Sequence, residues 1–471
     1  MERIRPKLHK VTLFDRTFWR AILPLAVPIA LQNLLMTSFR LVDTLMIGKL
    51  GDTSIAAVGL AGQASFLIEL IVFGLSSGSS VFIAQYHGAG NRRGVQRSFG
   101  ATLLFAVPLG ILFTALCFSF PERVMMLLTD EQPLIEAGAR YLTFACFSYF
   151  GICIYTPLCV VLRSTEQVRL PMISSIAASL ANVILNYTFI FGAFGLPAMG
   201  VAGAGLATAI SSLMNPAIIL LLSVKEKNII ISPLKELLDV KGFLLPFWKR
   251  VFPVLFNELI WSMSIVGINM VFGRMGQDNY AALTVFRTVE NIVFVFFVGI
   301  CNACNILVGK RIGAGEIDEG VSYARRFLRL VPIFGIILGA TVFLLREQVV
   351  GLFDLSQTAH RTAVILLIVY SIEVGIRNVP YLTVVGIFRA GGDTRIGLVG
   401  DGIVQYAVLL PLVYVCGLVL HLPFLETYII MICADDLLKC IVYLPHFYSM
   451  KWIKPVTGPS NKTETDPQTA V

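Results

Sequence analysis

Residues 18–97 and 247–326 carry one apolar passage written twice. Phe18-Trp19 recurs as Phe247-Trp248 and Pro24 as Pro253, each 229 positions on. Gly48-Lys49-Leu50-Gly51 returns as Gly273-Arg274-Met275-Gly276, Ala56-Ala57 as Ala281-Ala282, and Gly88-Ala89-Gly90 as Gly313-Ala314-Gly315, all at an offset of 225. Further along, Arg163 and Leu196-Pro197 reappear as Arg389 and Leu422-Pro423, 226 away. A repeat this long in a chain this apolar implies two similar halves packed side by side in a bilayer, the plan of a duplicated transporter.

Composition supports a membrane rather than a soluble core. The 471 residues are 56% hydrophobic and only 14% charged, whereas an ordinary soluble protein carries about a quarter charged residues. The net charge of +8 would suit nucleic acid if the basic residues clustered, but they sit in alternate loops, so no nucleic-acid partner is expected. The nine cysteines all lie in apolar segments, and their odd number argues against a full disulfide framework. Cys301 and Cys304 have CxxC spacing without a second pair, which small helix-packing residues explain. The apolar run after Arg20 is far too long for a cleavable signal segment.

A helix needs about 20 apolar residues to cross a bilayer. Twelve spans are predicted: 21–48, 54–86, 97–120, 134–162, 171–195 and 198–224, then 247–273, 281–309, 327–345, 362–388, 397–420 and 424–448. The fold expected is therefore an all-α integral membrane protein. It has a first half at 21–224, a linker at 225–246 and a second half at 247–448, between tails at 1–20 and 449–471. Of the 37 Lys and Arg residues, 27 fall on the side of the termini and linker, six on the opposite side and four inside spans. The positive-inside rule places the termini and linker in the cytoplasm of a cell whose plasma membrane holds the chain. Six spans per half make the repeats parallel. The linker reads as a short amphipathic piece on the cytoplasmic surface, and the tail from Lys454 as disordered.

Charged side chains at mid-bilayer cost about 2.5–3.5 kcal/mol on insertion scales, so they mark cavities or partners. Asp43 falls late in span 1, roughly 30 Å from the helix start, with Arg40 three positions earlier and close enough to pair. Glu258 follows Pro253 in span 7, near the midplane, and no charged residue stands at helical spacing from it; it reads as an unpaired carboxylate behind a helix break. Glu290 has Arg287 at three positions, Glu373 has Arg377 at four, and Asp435 and Asp436 have Lys439, all compatible with local pairs. Asn182 and Asn186 share a face of span 5 and with Asp43 could build a polar pocket, or could bond helix to helix. Buried carboxylates would serve a proton; sodium would want carboxylate, amide and carbonyl oxygens, with Glu258 and Glu373 as its candidate ligands. No other cofactor or metal is implied.

At these residues the chain resembles the MATE (multidrug and toxic compound extrusion) family of bacterial efflux transporters. The resemblance is carried by Val42-Asp43-Thr44 before Ile47-Gly48-Lys49-Leu50-Gly51, and by Asn182 and Asn186 running into Phe191-Gly192. It continues through Leu196-Pro197-Ala198-Met199-Gly200-Val201-Ala202-Gly203-Ala204 and Arg389-Ala390-Gly391-Gly392-Asp393-Thr394. It covers residues 15–453. It implies two six-helix lobes in a V, alternating access, and monomeric antiport of amphiphilic or cationic small molecules against protons or sodium. Asp43 would match the family's first-lobe acid, Glu258 the acid some branches carry on span 7, and Glu373 a second-lobe acid on span 10. The chain departs from the branch that couples protons through the first lobe, which has Asp where Asn186 stands. On this reading Glu258 is the principal ion-responsive group, with Glu290 or Glu373 assisting and Asp43 serving the substrate cavity.

Two alternatives follow from the same residues. A lipid or oligosaccharide flippase of the wider superfamily would show a larger, cation-lined cavity. A membrane-embedded enzyme would need chemistry that is missing: the five histidines lack metal-ligand spacing, and there is no nucleophile elbow or phosphate loop.

Overall fold

The computed structural model describes residues 15–226, 228–353 and 355–457. The first fourteen residues of the expected N-terminal tail and the C-terminal tail from 458 onward lie outside the described residues. The described residues are all-helical. The long helices are α1 (Arg16–Gly48), α2 (Asp52–Gly88), α3 (Arg92–Ser119), α4 (Gln132–Ala145), α5 (Phe147–Ser164), α6 (Arg169–Phe191) and α7 (Val201–Lys225). The second half supplies α8 (Leu244–Gly273), α9 (Gln277–Gly313), α10 (Ile317–Val350), α11 (Gln357–Gly391), α12 (Arg395–Val419) and α13 (Phe424–Tyr448). Eleven of these helices are long and apolar enough to cross a membrane; α13, also 25 residues long, carries Asp435, Asp436 and Lys439 at its middle.

Polar side chains start the helices where the apolar runs begin. The Asp15 carboxylate accepts from Thr17 N at 2.9 Å, and Asn91 Oδ1 accepts from Gly94 N at 2.8 Å, each satisfying an otherwise orphaned amide. One predicted span is corrected. Residues 134–162 do not form one helix: α4 stops at Ala145 and α5 starts at Phe147. Thr114 on α3 donates to the Cys146 carbonyl at 3.0 Å, and a side chain entering the ladder this way breaks or kinks a helix. In the second half α11 passes through a π-helical stretch at Leu382–Phe388, directly after Pro380, and α12 through two more at Ile403–Leu409 and Val415–Val419, on either side of Pro411. Proline removes an amide donor, and wider π turns accommodate the lost bond.

The lobes meet only over half of their length. Phe18, Ile22, Leu25, Ala26 and Ile29 of α1 are buried in the core of the second lobe, where Phe18 packs 5.4 Å from the Phe327 ring. Reciprocally, Phe247 and Val251 of α8 belong to the core of the first lobe, with Phe247 stacked on Phe82. Glycine makes this crossing possible. A Cβ at Gly88 would lie 1.9 Å from the Lys310 carbonyl oxygen, and one at Gly313 would lie 2.0 Å from that of Gln85. These two glycines are repeat equivalents, so the duplicated Gly-Ala-Gly turn is where the halves interlock by close backbone approach. All these contacts sit at the end of the bundle that holds the linker. Toward the far end Leu41 and Leu45 of α1 and Met263 and Met270 of α8 are exposed. The lobes therefore form a V closed at the linker end.

The expected disorder from Lys454 is corrected: a C-terminal segment reaching Val456 straps this closed end, held by hydrogen bonds to both lobes. Trp452 is buried and stacked on Phe447. Lys454 N donates to the Gly391 carbonyl at 2.7 Å, and Val456 N donates to Gln85 Oε1 of the first lobe at 2.8 Å. Beside the strap, burial of Asp393 opposes its ionisation, but hydrogen bonds from His446 at 3.0 Å and Lys454 at 2.7 Å hold its carboxyl below the usual range. The linker itself is mostly irregular, with one helical turn at Leu234–Leu237. Gln96 and Arg97 of α3 pin it through Ser232 and Asp239.

Candidate functional site

In the first lobe, three residues singled out from the sequence come together. Asn186 Nδ2 donates to Asp43 Oδ1 and, at 3.2 Å, to Asn182 Oδ1. Asn182 Nδ2 donates in turn to Ser211 Oγ on α7 at 3.1 Å. Helical spacing aligned the two asparagines, and the packing of α1 on α6 supplied the acid. Asn186 is fully buried, and its Oδ1 has no partner among the described residues. Asp43 is half-buried in the far half of α1. Arg40 does not pair with it. Arg40 instead reaches Glu69 on α2 at 3.3 Å, in an exposed pair, and Asp43 takes its hydrogen bond from Asn186 on α6.

In the second lobe, Glu258 is not unpaired. Arg389 Nη2 lies 2.7 Å from Glu258 Oε1, with the guanidinium side chain 3% exposed. The same Nη2 donates to Asn257 Oδ1 at 3.1 Å, and Nη1 donates to Ser77 Oγ on α2 at 2.8 Å. Asn257 Nδ2 donates to Asp401 Oδ2 at 2.7 Å, and the Tyr443 hydroxyl donates to Asp401 Oδ1 at 2.6 Å. The sequence reading missed Arg389 because it counted this residue among loop bases; it lies inside the last turn of α11 and is buried. The partner stands 131 residues from Glu258, beyond the reach of any helical-spacing rule.

A second charged cluster in this lobe is separate. Arg287 and Arg377 clamp Glu290 at 2.6 and 2.5 Å, and Arg377 also holds Glu373 Oε1 at 3.1 Å. The local pairs read from the sequence are present, with Arg377 joining them. Glu373 Oε2 is buried without a hydrogen-bond partner among the described residues. Lys439 pairs with Asp435 at 2.7 Å. Glu258 and Glu373 are thus held by different arginines. Among the described residues no group of three or more His, Cys, Asp or Glu side chains is disposed to hold a metal ion.

The repeat relates one network to the other. Gln32 stands 225 positions before Asn257, Asn33 225 before Glu258, Arg163 226 before Arg389, and Ser175 226 before Asp401. Arg163 Nη2 donates to Gln32 Oε1 at 2.8 Å, and Gln32 Nε2 donates to Ser175 Oγ at 2.5 Å. The first lobe has the same arginine-to-amide arrangement with neutral residues where the second lobe has two acids.

Comparison with known proteins agrees with this architecture. The family model MatE matches residues 28–188 and again 253–424, one copy per lobe. The chain is 26% identical over 446 residues to a probable multidrug resistance protein NorM of Thermotoga maritima, covering 92% of this chain and 93% of that protein. It is 27% identical over 357 residues to the probable multidrug resistance protein YoeA of Bacillus subtilis, covering 74% and 77%. Its fold matches a crystal structure of MATE in the bent conformation with a TM-score of 0.83 at 19% identity, covering 94% of this chain and 98% of that one. The eukaryotic MATE transporter AtDTX14 matches at a TM-score of 0.77 and 17% identity, covering 93% and 97%. With long apolar helices in two repeated lobes and the family model matching once in each lobe, over most of the chain, this protein belongs to the MATE family of multi-pass membrane transporters.

Proposed function

We propose that the chain is a secondary active exporter of amphiphilic or cationic small molecules, antiported against protons or sodium by alternating access. It works as a monomer in the plasma membrane with no cofactor beyond the coupling ion. The observation that carries this reading is the division of the polar sites under a V that is closed at one end. A half-buried acid with two amides stands in the far half of the first lobe, and an ion-paired acid sits beside the closed seam of the second. The first suits an organic cation, because a carboxylate in a half-dry wall attracts positive charge more strongly than in water. The second suits the ion, because its charge state bears on the contact between lobes. The names of the multidrug resistance relatives support the substrate class.

The test is transport in proteoliposomes under separately imposed sodium and pH gradients. One of the two should raise accumulation of a cationic dye about tenfold over the gradient-free level. Accumulation unaffected by either gradient would overturn antiport.

Orientation is a separate part of the proposal. The basic excess on the linker side supports a cytoplasmic linker and termini, with the V opening outward. Lys235 is exposed on the linker. In a background lacking the exposed Cys433, Lys235→Cys should stay unmodified by an impermeant thiol reagent in intact cells and react after lysis. Modification without lysis would reverse the orientation.

A further inference from the structure

We propose that Arg389 is a positioning residue that transmits the ion state of Glu258 to the seam between the lobes, by exchanging its hold on Glu258 for Asp401. The inference rests on the reading of Glu258 as the ion-responsive group and adds the element that moves. Arg389 binds three things at once: Glu258 and Asn257 within its own lobe, and Ser77 Oγ of the opposite lobe at 2.8 Å. The seam is tight at this point. A Cβ at Gly74 would come within 3.0 Å of Leu255 Cα and 3.6 Å of Glu258 Cγ, and one at Gly78 within 2.8 Å of Val251 Cα. The Arg389–Ser77 bond is therefore part of what closes the linker end.

Two acids flank this one guanidinium. Glu258 holds it now, and Asp401 lies one amide beyond, bonded to Asn257 and Tyr443 and without an ion-pair contact of its own among the described residues. A buried guanidinium that loses its counter-charge is strongly unfavourable, so it turns to the nearest remaining carboxylate. When a proton or cation neutralises Glu258, that carboxylate is Asp401. Swinging toward it draws Nη1 away from Ser77, and the seam loses its charge-assisted bond. One cation between two anions has two discrete arrangements, which is what a switch requires. The other ionisable groups around the pair are Tyr381 beside Glu258, and Tyr443 and Lys439 beside Asp401. Lys439 is engaged by Asp435.

The first lobe supplies an internal contrast. Arg163 has Gln32 as its amide, with Asn33 and Ser175 at the positions of Glu258 and Asp401. That copy contains no acid to neutralise and none to move toward, so it stays fixed. The exchange belongs to the second lobe alone.

The experiment places spin labels at Arg93→Cys and Asp318→Cys, exposed residues on opposite lobes at the linker end, in a background lacking Cys433. Inter-lobe distances are measured on the full chain at high and low pH and with and without sodium. In the otherwise unchanged chain the coupling ion should shift population to longer distances. Ser77→Ala removes only the seam bond and should raise the separated population about five- to tenfold before any ion is added. Asp401→Asn removes the second landing point and should suppress the ion-induced shift while leaving the closed population in place. Should Arg389→Gln misfold, these two variants decide the matter. Ion-dependent separation unchanged in both would overturn the exchange, even if Glu258→Gln uncouples transport. A Glu258→Gln variant that couples normally would instead remove the reading on which the exchange rests.

Discussion

Asp43→Asn leaves the protein folded and inserted but lowers dye efflux about 10–100-fold. The substitution keeps the shape of the side chain, and an amide at this position can still accept the hydrogen bond from Asn186 Nδ2 that the carboxylate accepts now. What disappears is the negative charge. A hydrogen bond or contact to an ionised group contributes about 1.5–3 kcal/mol, and each 1.4 kcal/mol is about a factor of ten in affinity. Loss of one such contact to a cationic substrate gives an effect of this size. Because the fold is untouched, expression and thermal unfolding should match those of the unaltered chain, and efflux measured per folded molecule is the informative number. Wild-type efflux by a well-expressed variant would show that Asp43 is structural.

Much of this architecture was legible in the chain. The offset of 225 between Gly88-Ala89-Gly90 and Gly313-Ala314-Gly315 announced two parallel halves, and those same turns interlock the lobes. Span positions followed from apolar length, and the alignment of Asn182 with Asn186 from their spacing four residues apart on one helix, while the packing of α1 on α6 brought in Asp43. Local charge pairs such as Arg287–Glu290 and Arg377–Glu373 were readable for the same reason.

Contacts between distant helices were not. Sequence distance left open whether Arg40 pairs with Asp43, and Arg40 finds its partner in Glu69 on the next helix. The same limit holds for Glu258, whose partner Arg389, the repeat of Arg163, lies on another helix. Setting Gln32, Asn33 and Ser175 against Asn257, Glu258 and Asp401 would have drawn attention to the network, because the repeat preserves the arginine and the amide while the neighbours become acidic. The break at Cys146 was hidden for a related reason. It depends on Thr114 reaching across from α3, and nothing in residues 134–162 signals it.

The largest effect expected of any substitution is on coupling. Glu258→Gln preserves volume but removes the counter-charge of Arg389, so the variant is held in the neutralised state, with Arg389 turned toward Asp401 and the seam bond to Ser77 weakened. The variant cannot gain or lose charge, and the two ion states of the site become one. A ligand with equal affinity for two states shifts nothing however tightly it binds, so an imposed gradient has no purchase on the conformational equilibrium. Substrate bound in the far half near Asp43 should be little affected. The deciding measurement is substrate affinity and gradient-driven transport on the same purified Glu258→Gln protein in proteoliposomes. The account predicts a dissociation constant within about twofold of the unaltered chain, with gradient-driven transport falling about 100-fold to the gradient-free level. Normal coupling in Glu258→Gln, with coupling lost in Asp43→Asn, would contradict it and move the ion site to the first lobe.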